Sequence, residues 1–163
     1  MNCLQCSGQM DTKIGPHNYS ECGLANVILV NVEMSRCRDC GETEVAIPNV
    51  EGLHRAMAHA IIRKRARLVS QEIRFLRKYL GWSGVDFAKH IGVTPETVSR
   101  WEQGTNPMGP TADRALRLMV ARMEPIAEYP LDELKGVDRP TKSTVKLRML
   151  AQHNDWAPEP VAA

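Results

Sequence analysis

The run SGVDFAKHIGVTPETVSRWEQG, residues 83–104, decides the fold of the larger half of the chain. Ser83 places a capping hydroxyl ahead of a short stretch in which Val85, Phe87, Ala88 and Ile91 recur at helical spacing, and Gly92 breaks that stretch. Thr94 opens a second stretch: its hydroxyl can accept a backbone N–H of the first turn, and Pro95 stands where a missing donor costs nothing. Gly104 stops it. Two short helices joined by a glycine-containing turn form a helix-turn-helix, whose second member fits the major groove of a duplex.

Working outward, Ser70 is read as the cap of a preceding helix holding Ile73, Leu76 and Leu80 and closed by Gly81. Arg74, Arg77 and Lys78 on it read as solvated surface. Downstream, a helix from about Thr111 to Met123 carries Leu116, Met119, Val120 and Met123 on one stripe, and Pro125 ends or kinks it. A single recognition helix gives little affinity. Readers of this kind gain specificity by placing two copies on half-sites one helical turn apart, so a symmetric homodimer on a palindromic double-stranded operator is expected, joined through residues 111–135. The competing reading is that the stripe only closes the domain core.

With Thr94 as cap, Glu96, Thr97 and Arg100 share an exposed face, while Val98 and Trp101 face inward. The Arg100 guanidinium can pair with O6 and N7 of guanine, Glu96 can accept from cytosine N4, and Thr97 can meet a thymine methyl. Glu96 has a second reading, as a charge that stabilises the positive end of the helix or orients Arg100. Ser99 joins the same polar helix and completes the expected DNA-binding set with Ser83, Thr94 and Asn106. Hydroxyls and N–H groups at helix starts suit phosphate, and Asn106 follows where the chain would meet the backbone. Each of these three can instead be only a local cap.

At the other end, Cys3-Leu-Gln-Cys6 and Cys37-Arg-Asp-Cys40 are two closely spaced pairs separated by 30 residues, each followed by a glycine, Gly8 or Gly41. Two residues between thiolates let both sulfurs reach one metal, and two such knuckles fill tetrahedral zinc with Cys3, Cys6, Cys37 and Cys40. Four protein ligands leave no position for water, so one structural zinc per chain is expected. Disulfides are the alternative. No leader or apolar span of membrane length is evident, which favours a reducing cytoplasm, metal, and no membrane partner. The gap between the knuckles needs a hairpin. Val27 to Met34 reads as its half-buried strand, with Ile28, Val30, Val32 and Met34 on one side. So little apolar mass implies that this module depends on its metal for folding. Cys22 and His17 are spare, and Cys22 is expected to be buried in the sheet.

The run Ile73-Arg74-Phe75-Leu76-Arg77, then Phe87-Ala88, Gly92-Val93-Thr94 and Thr97-Val98-Ser99-Arg100-Trp101-Glu102-Gln103-Gly104, resembles the Cro and phage-repressor (XRE) class of DNA-binding domains over residues 70 to about 123. Coupled to a four-cysteine module, it is similar to MqsA-type antitoxins and relatives with a YgiT-type zinc finger. The resemblance implies an N-terminal domain that binds zinc and, in true antitoxins, a toxin protein, and a C-terminal domain that dimerises and represses its operon. It also implies base contacts at Glu96 and Arg100, although a neutral residue is more usual at the former position.

The expected architecture is thus a two-domain α+β chain. A small β-rich four-cysteine zinc domain (1–48) is followed by a connecting helix and hinge (49–69), the hinge itself placed near residues 64–70. An all-α, five-helix, Cro/repressor-like helix-turn-helix and dimerisation domain (70–135) comes next, and then a polar, partly disordered tail (136–163), in which Val145, Leu147, Met149 and Leu150 can form a short extra segment and residues 158–163 read as disordered. Charge follows this division. Residues 1–49 hold three cations against six acids, whereas residues 50–69 hold Arg55, Arg63, Lys64, Arg65 and Arg67 against Glu51 alone. A basic middle suits a polyanion, and an acidic start suits a basic ribonuclease toxin. The five histidines, His17, His54, His59, His90 and His153, lie apart and form no spaced catalytic set, so an enzyme is not expected. Two functions remain in contest: a repressor that is the antitoxin of a type II pair and autoregulates its operon, and a free-standing regulator whose zinc domain serves dimerisation or protein recruitment.

Overall fold

A computed structural model describes residues 2–123 and 129–160. Strands β1 (Met10–Asn18), β2 (Val27–Cys37) and β3 (Thr43–Ala46) precede helix α1 (Val50–Ile62). Helices α2 (Ser70–Tyr79), α3 (Gly84–Ile91), α4 (Pro95–Gln103) and α5 (Pro110–Met123) follow, then a 3-10 turn at Leu131–Gly136 and strands β4 (Leu147–Gln152) and β5 (Asp155–Pro158). Residues 70–135 therefore hold four described α-helices and a 3-10 turn. The fifth helix of the expected count is matched only by counting that turn or α1.

β1 and β2 form the expected antiparallel hairpin, with Met10 opposite Cys37 at its far end. The register slips between Gly15 and His17, opposite Asn31, which sits at φ 64°. This bulge changes the phase of β2. Val27 and Leu29 face the core before it and Val32 after it, while Ile28 and Val30 are half-buried on the other side. The expectation that Ile28, Val30, Val32 and Met34 share one face is corrected by that single extra residue. Pro16 lies at the same irregularity, on an outer strand, where a missing N–H costs no ladder bond.

The second edge of β2 is divided. β3 pairs with Glu33–Arg36 and β4 runs parallel to Val27–Val30, carrying β5 beyond it. The tail expected to be polar and partly disordered thus supplies two strands. Leu147, Met149 and Trp156 point into the core, and the Trp156 indole N–H donates to the Pro48 carbonyl at 2.7 Å. Alternating burial on β4 is enough to seat it once an edge is free.

α1 is more than a connector. Leu53, Met57, Ala58, Ile61 and Ile62 are fully buried, and the helix touches β4, β5, α2 and α5. One continuous apolar cluster runs from Val27, Leu29 and Val32 through α1 to Phe87, Val98 and Leu116. Asn49 caps α1 from φ 45°, accepting the Gly52 N–H at 3.0 Å on Oδ1. A Cβ on Gly52 would lie 2.4 Å from the Asn49 amide nitrogen. Gly52→Ala is therefore expected to displace the cap and cost about 1 to 2 kcal/mol in urea denaturation, although alanine is ordinarily the better helix residue.

Residues 64–70, expected to be a hinge, are clamped. Arg117 and Asp113, both fully buried, form an ion pair at 2.6 Å on α5. Arg117 also donates to the carbonyls of Ile62 (3.0 Å), Lys64 (2.5 Å) and Ala66 (2.6 Å), and Asp113 accepts the Leu68 N–H at 2.8 Å. Lys64 in turn pairs with the buried Glu72 at 3.0 Å. The cap of α2 is Val69 instead of Ser70. The Glu72 carboxylate reaches back to the Val69 N–H at 2.9 Å, which fixes the first turn without a capping hydroxyl.

Candidate DNA-reading helix and metal centre

The helix-turn-helix is built from local signals that act as read. The Ser83 hydroxyl accepts the Asp86 N–H at 3.1 Å, and the Asp86 carboxylate returns to Ser83. The Ser83 hydroxyl, more than any cation, holds the Asp86 carboxyl below its ordinary pKa. Gly92 and Gly104 adopt φ 79° and 76° at the ends of α3 and α4, conformations that side chains resist. Thr94 caps α4, its hydroxyl accepting the Thr97 N–H at 3.2 Å.

α4 is anchored from beneath. Val98 and Trp101 are buried, and the Trp101 ring meets Phe87 edge-on at 6.4 Å. Trp82 stacks on His90 at 3.9 Å beside Phe87. Glu102 joins α4 to α2 through Arg77, with contacts of 2.5 and 3.0 Å, while Arg77 also donates to the Trp82 carbonyl. Arg74 adds a bond to the Glu102 carbonyl at 2.8 Å. Reading Arg74 and Arg77 as plain solvated surface missed this lock. The pairing of a helical Glu with an Arg 25 positions earlier leaves no local trace.

Glu96, Ser99 and Arg100 lie exposed on the outer face of α4, with Thr97 half-buried beside them. Among the described residues neither Glu96 nor Arg100 has an ion pair, so Glu96 does not hold Arg100 in place here. Ser99 accepts from the Gln103 amide at 3.0 Å, which adds Gln103 to this face. Asn106 is exposed in the loop after α4, and its N–H is turned back to the Arg100 carbonyl. The outer face thus presents a free guanidinium, a carboxylate and amide and hydroxyl groups on a rigid backing. That composition suits base edges.

At the far end of the sheet, the sulfurs of Cys3, Cys6, Cys37 and Cys40 all lie within 4.8 Å of one another. Cys3–Cys40 and Cys6–Cys37 are 3.6 and 3.4 Å apart. Sulfurs about 2.3 Å from a central zinc would be about 3.8 Å apart in a tetrahedron. The four cysteines are therefore positioned to bind a metal ion. His17 and Cys22 stand outside the group; Cys22 is half-buried in the turn before β2 rather than within the sheet.

The first knuckle turns two backbone donors toward sulfur, with Gln5 N–H to Cys3 and Gly8 N–H to Cys6, both at 3.4 Å. A Cβ on Gly8 would lie 2.2 Å from the Asp39 carboxylate and 3.1 Å from the Cys37 sulfur, so any larger residue there must displace the Asp39 side chain and press on the Cys37 sulfur. N–H groups of Cys40 and Asp39 lower the Cys37 pKa to about 7. Cys40 is pushed up to about 12, the pull of the Glu42 N–H being outweighed by the neighbouring thiols. Four crowded sulfurs ionise together only when a cation offsets their charge, which is the service a bound metal performs.

No helix among the described residues is long and apolar enough to cross a membrane. Residues 73–119 match a helix-turn-helix family model, a span from within α2 into α5. Neither curated proteins nor solved structures gave a match to the chain. The matched segment and the exposed polar face of α4 together support a DNA-binding transcription regulator with an XRE-type helix-turn-helix, and the four N-terminal cysteines are positioned to bind a metal ion.

Proposed function

We propose that this protein is a dimeric repressor that reads a palindromic operator with α4, carries one structural zinc on Cys3, Cys6, Cys37 and Cys40, and catalyses no reaction. The observation that carries the reading is the outer face of α4, where Arg100 stands exposed and uncommitted among the described residues on a helix pinned through Val98, Trp101 and Glu102. Two copies are needed for a specific site. Of the stripe expected to dimerise, Leu116 and Val120 are buried in the core and Met119 is half-buried against it, which leaves Met123 exposed, together with Leu118 and Leu131 elsewhere in residues 111–135. These three are the apolar contacts available to a second copy. The expected contact region also includes residues 124–128, and its proline Pro125, which lie outside the described residues.

The zinc assignment rests on donor chemistry. Four thiolates at tetrahedral spacing are a soft, closed ligand set. The antitoxin role rests on the resemblance to zinc-finger antitoxins and on the acidic N-terminal region, where Leu4 and Ile14 are exposed apolar side chains that a basic toxin can cover. A regulator without a toxin is favoured by a different observation, the single apolar cluster that unites sheet and reader. Co-purification with the product of a short neighbouring reading frame decides between them.

Fluorescence anisotropy against duplex DNA from upstream of its own reading frame, beside a scrambled duplex, tests the operator reading. Arg100→Ala should cost about 1 to 3 kcal/mol on the specific duplex and relax preference at one base pair per half-site. Equal loss on both duplexes would make Arg100 a phosphate contact, and no binding to either would remove the DNA reading.

A further inference from the structure

The segment 136–146 lies beyond the matched helix-turn-helix span, yet it is not a loose tail. Val137 is fully buried, the Arg139 carbonyl accepts the Arg67 N–H at 3.0 Å, and the Ser143 carbonyl accepts from the Lys64 ammonium at 2.9 Å. Val145 then donates its N–H to the buried Glu72 carboxylate at 2.7 Å. The strap is thereby stitched along the clamped linker before it enters β4.

This route brings the strap beside the reader. Lys142 and Thr141 share the lining of a groove of about 830 Å³ with Arg67, Gly104 and Asn106, the last two being residues that end α4 and open the loop after it. The Arg67 guanidinium, on the linker, donates to the Met108 carbonyl at 3.0 Å and so braces that same loop. The charge is one-sided. The one acid of the strap, Asp138, is taken by Arg114 at 2.9 Å, whereas Arg139 and Lys142 are exposed and make no ion pair among the described residues.

We propose that Arg139 and Lys142 form an auxiliary arm that grips the DNA phosphate backbone alongside the recognition helix, extending the contact past the loop at Asn106. The inference rests on the DNA-binding reading of α4. Its physical basis is that cations on an already ordered backbone lose little conformational freedom on meeting a phosphate, and that the nearest acid is neutralised in place. Such contacts carry no base preference; they add affinity and salt dependence and fix the register of α4 in the groove.

The test measures affinity of the full chain for its own upstream duplex and for a scrambled duplex of equal length over a salt series. The variants are Arg139→Ala, Lys142→Ala, their double, and Lys142→Arg, with Lys13→Ala on the exposed outer strand as a control for net charge. Each alanine variant should flatten the slope of log affinity against log salt by about 0.9 on both duplexes, and the double by about twice that. Lys142→Arg and Lys13→Ala should keep the wild-type slope. An unchanged slope in the double variant, while Arg100→Ala still loses specific binding, overturns the arm and leaves the α4 reading intact. Loss confined to the specific duplex would also overturn it, since it would mark a base contact. Absence of any duplex binding by the wild type would remove both.

Discussion

Arg117→Ala should destabilise the protein by about 3 to 5 kcal/mol, a large part of the roughly 5 to 15 kcal/mol that holds a domain folded. The guanidinium is fully buried and satisfies Asp113 together with three carbonyls, those of Ile62, Lys64 and Ala66. Truncation leaves a buried carboxylate whose remaining described partner is the Leu68 N–H, and three carbonyls without this donor. In urea, with a slope of about 1 to 3 kcal/mol per molar, the midpoint should fall by more than 1 M. Arg117→Lys should recover only part of the loss, because an ammonium is a point charge and cannot spread its donors over acceptors on both α5 and the linker. Asp113→Leu with Arg117→Met removes both charges and should be less damaging than Arg117→Ala alone, although the linker carbonyls remain unserved. A midpoint within 0.3 M or so of wild type for Arg117→Ala would mean that water reaches the clamp and that residues 64–70 are the hinge the sequence suggests.

That clamp also marks where the sequence stops being legible. The helix boundaries at Ser83, Gly92, Thr94 and Gly104 follow from caps and left-handed glycines, which act within a few residues and need no knowledge of the rest of the chain. The four cysteines are legible for the same reason: two local turns, each complete in itself. Arg117 and Asp113 look in sequence like ordinary helix-surface charges four residues apart. Only the linker backbone folded over them, 45 to 55 positions away, makes them interior. Leu147 and Met149 alternate like strand residues, but their partner strand lies about 120 positions earlier, and its free edge exists only because β3 leaves half of β2 unpaired. The bulge at Asn31 is a further case, since a single residue in the left-handed region reverses every inside-outside assignment after it.

Removing the metal should unfold the far end of the sheet and leave the rest standing. The apolar support at that end is small, a separate cluster of Cys3, Met10 and Cys37, two of whose three members belong to the four-cysteine group. Structural zinc contributes on the order of 10 kcal/mol to small folds of this kind, more than such a cluster can replace. The near half of β2 is held differently: Val27 and Leu29 are fully buried, Val27–Val30 pair with β4, and the same apolar cluster includes Leu53 and Met57 of α1. The sequence alone implies that the whole module of residues 1–48 depends on metal; the packing divides it near the Asn31 bulge. After chelation, or in Cys40→Ser, backbone amides of Thr12–Ile14 and Met34–Cys37 should exchange with solvent at least about 100-fold faster, as expected once some 3 kcal/mol of local stability is lost. Amides of Val27–Val30 and of α2 to α5 should keep their protection. DNA affinity should stay within about threefold, because Phe87, Trp101 and the Arg77–Glu102 pair that seat α4 make no contact with the metal end. Loss of protection throughout the chain would show instead that the four-cysteine centre sustains the common core.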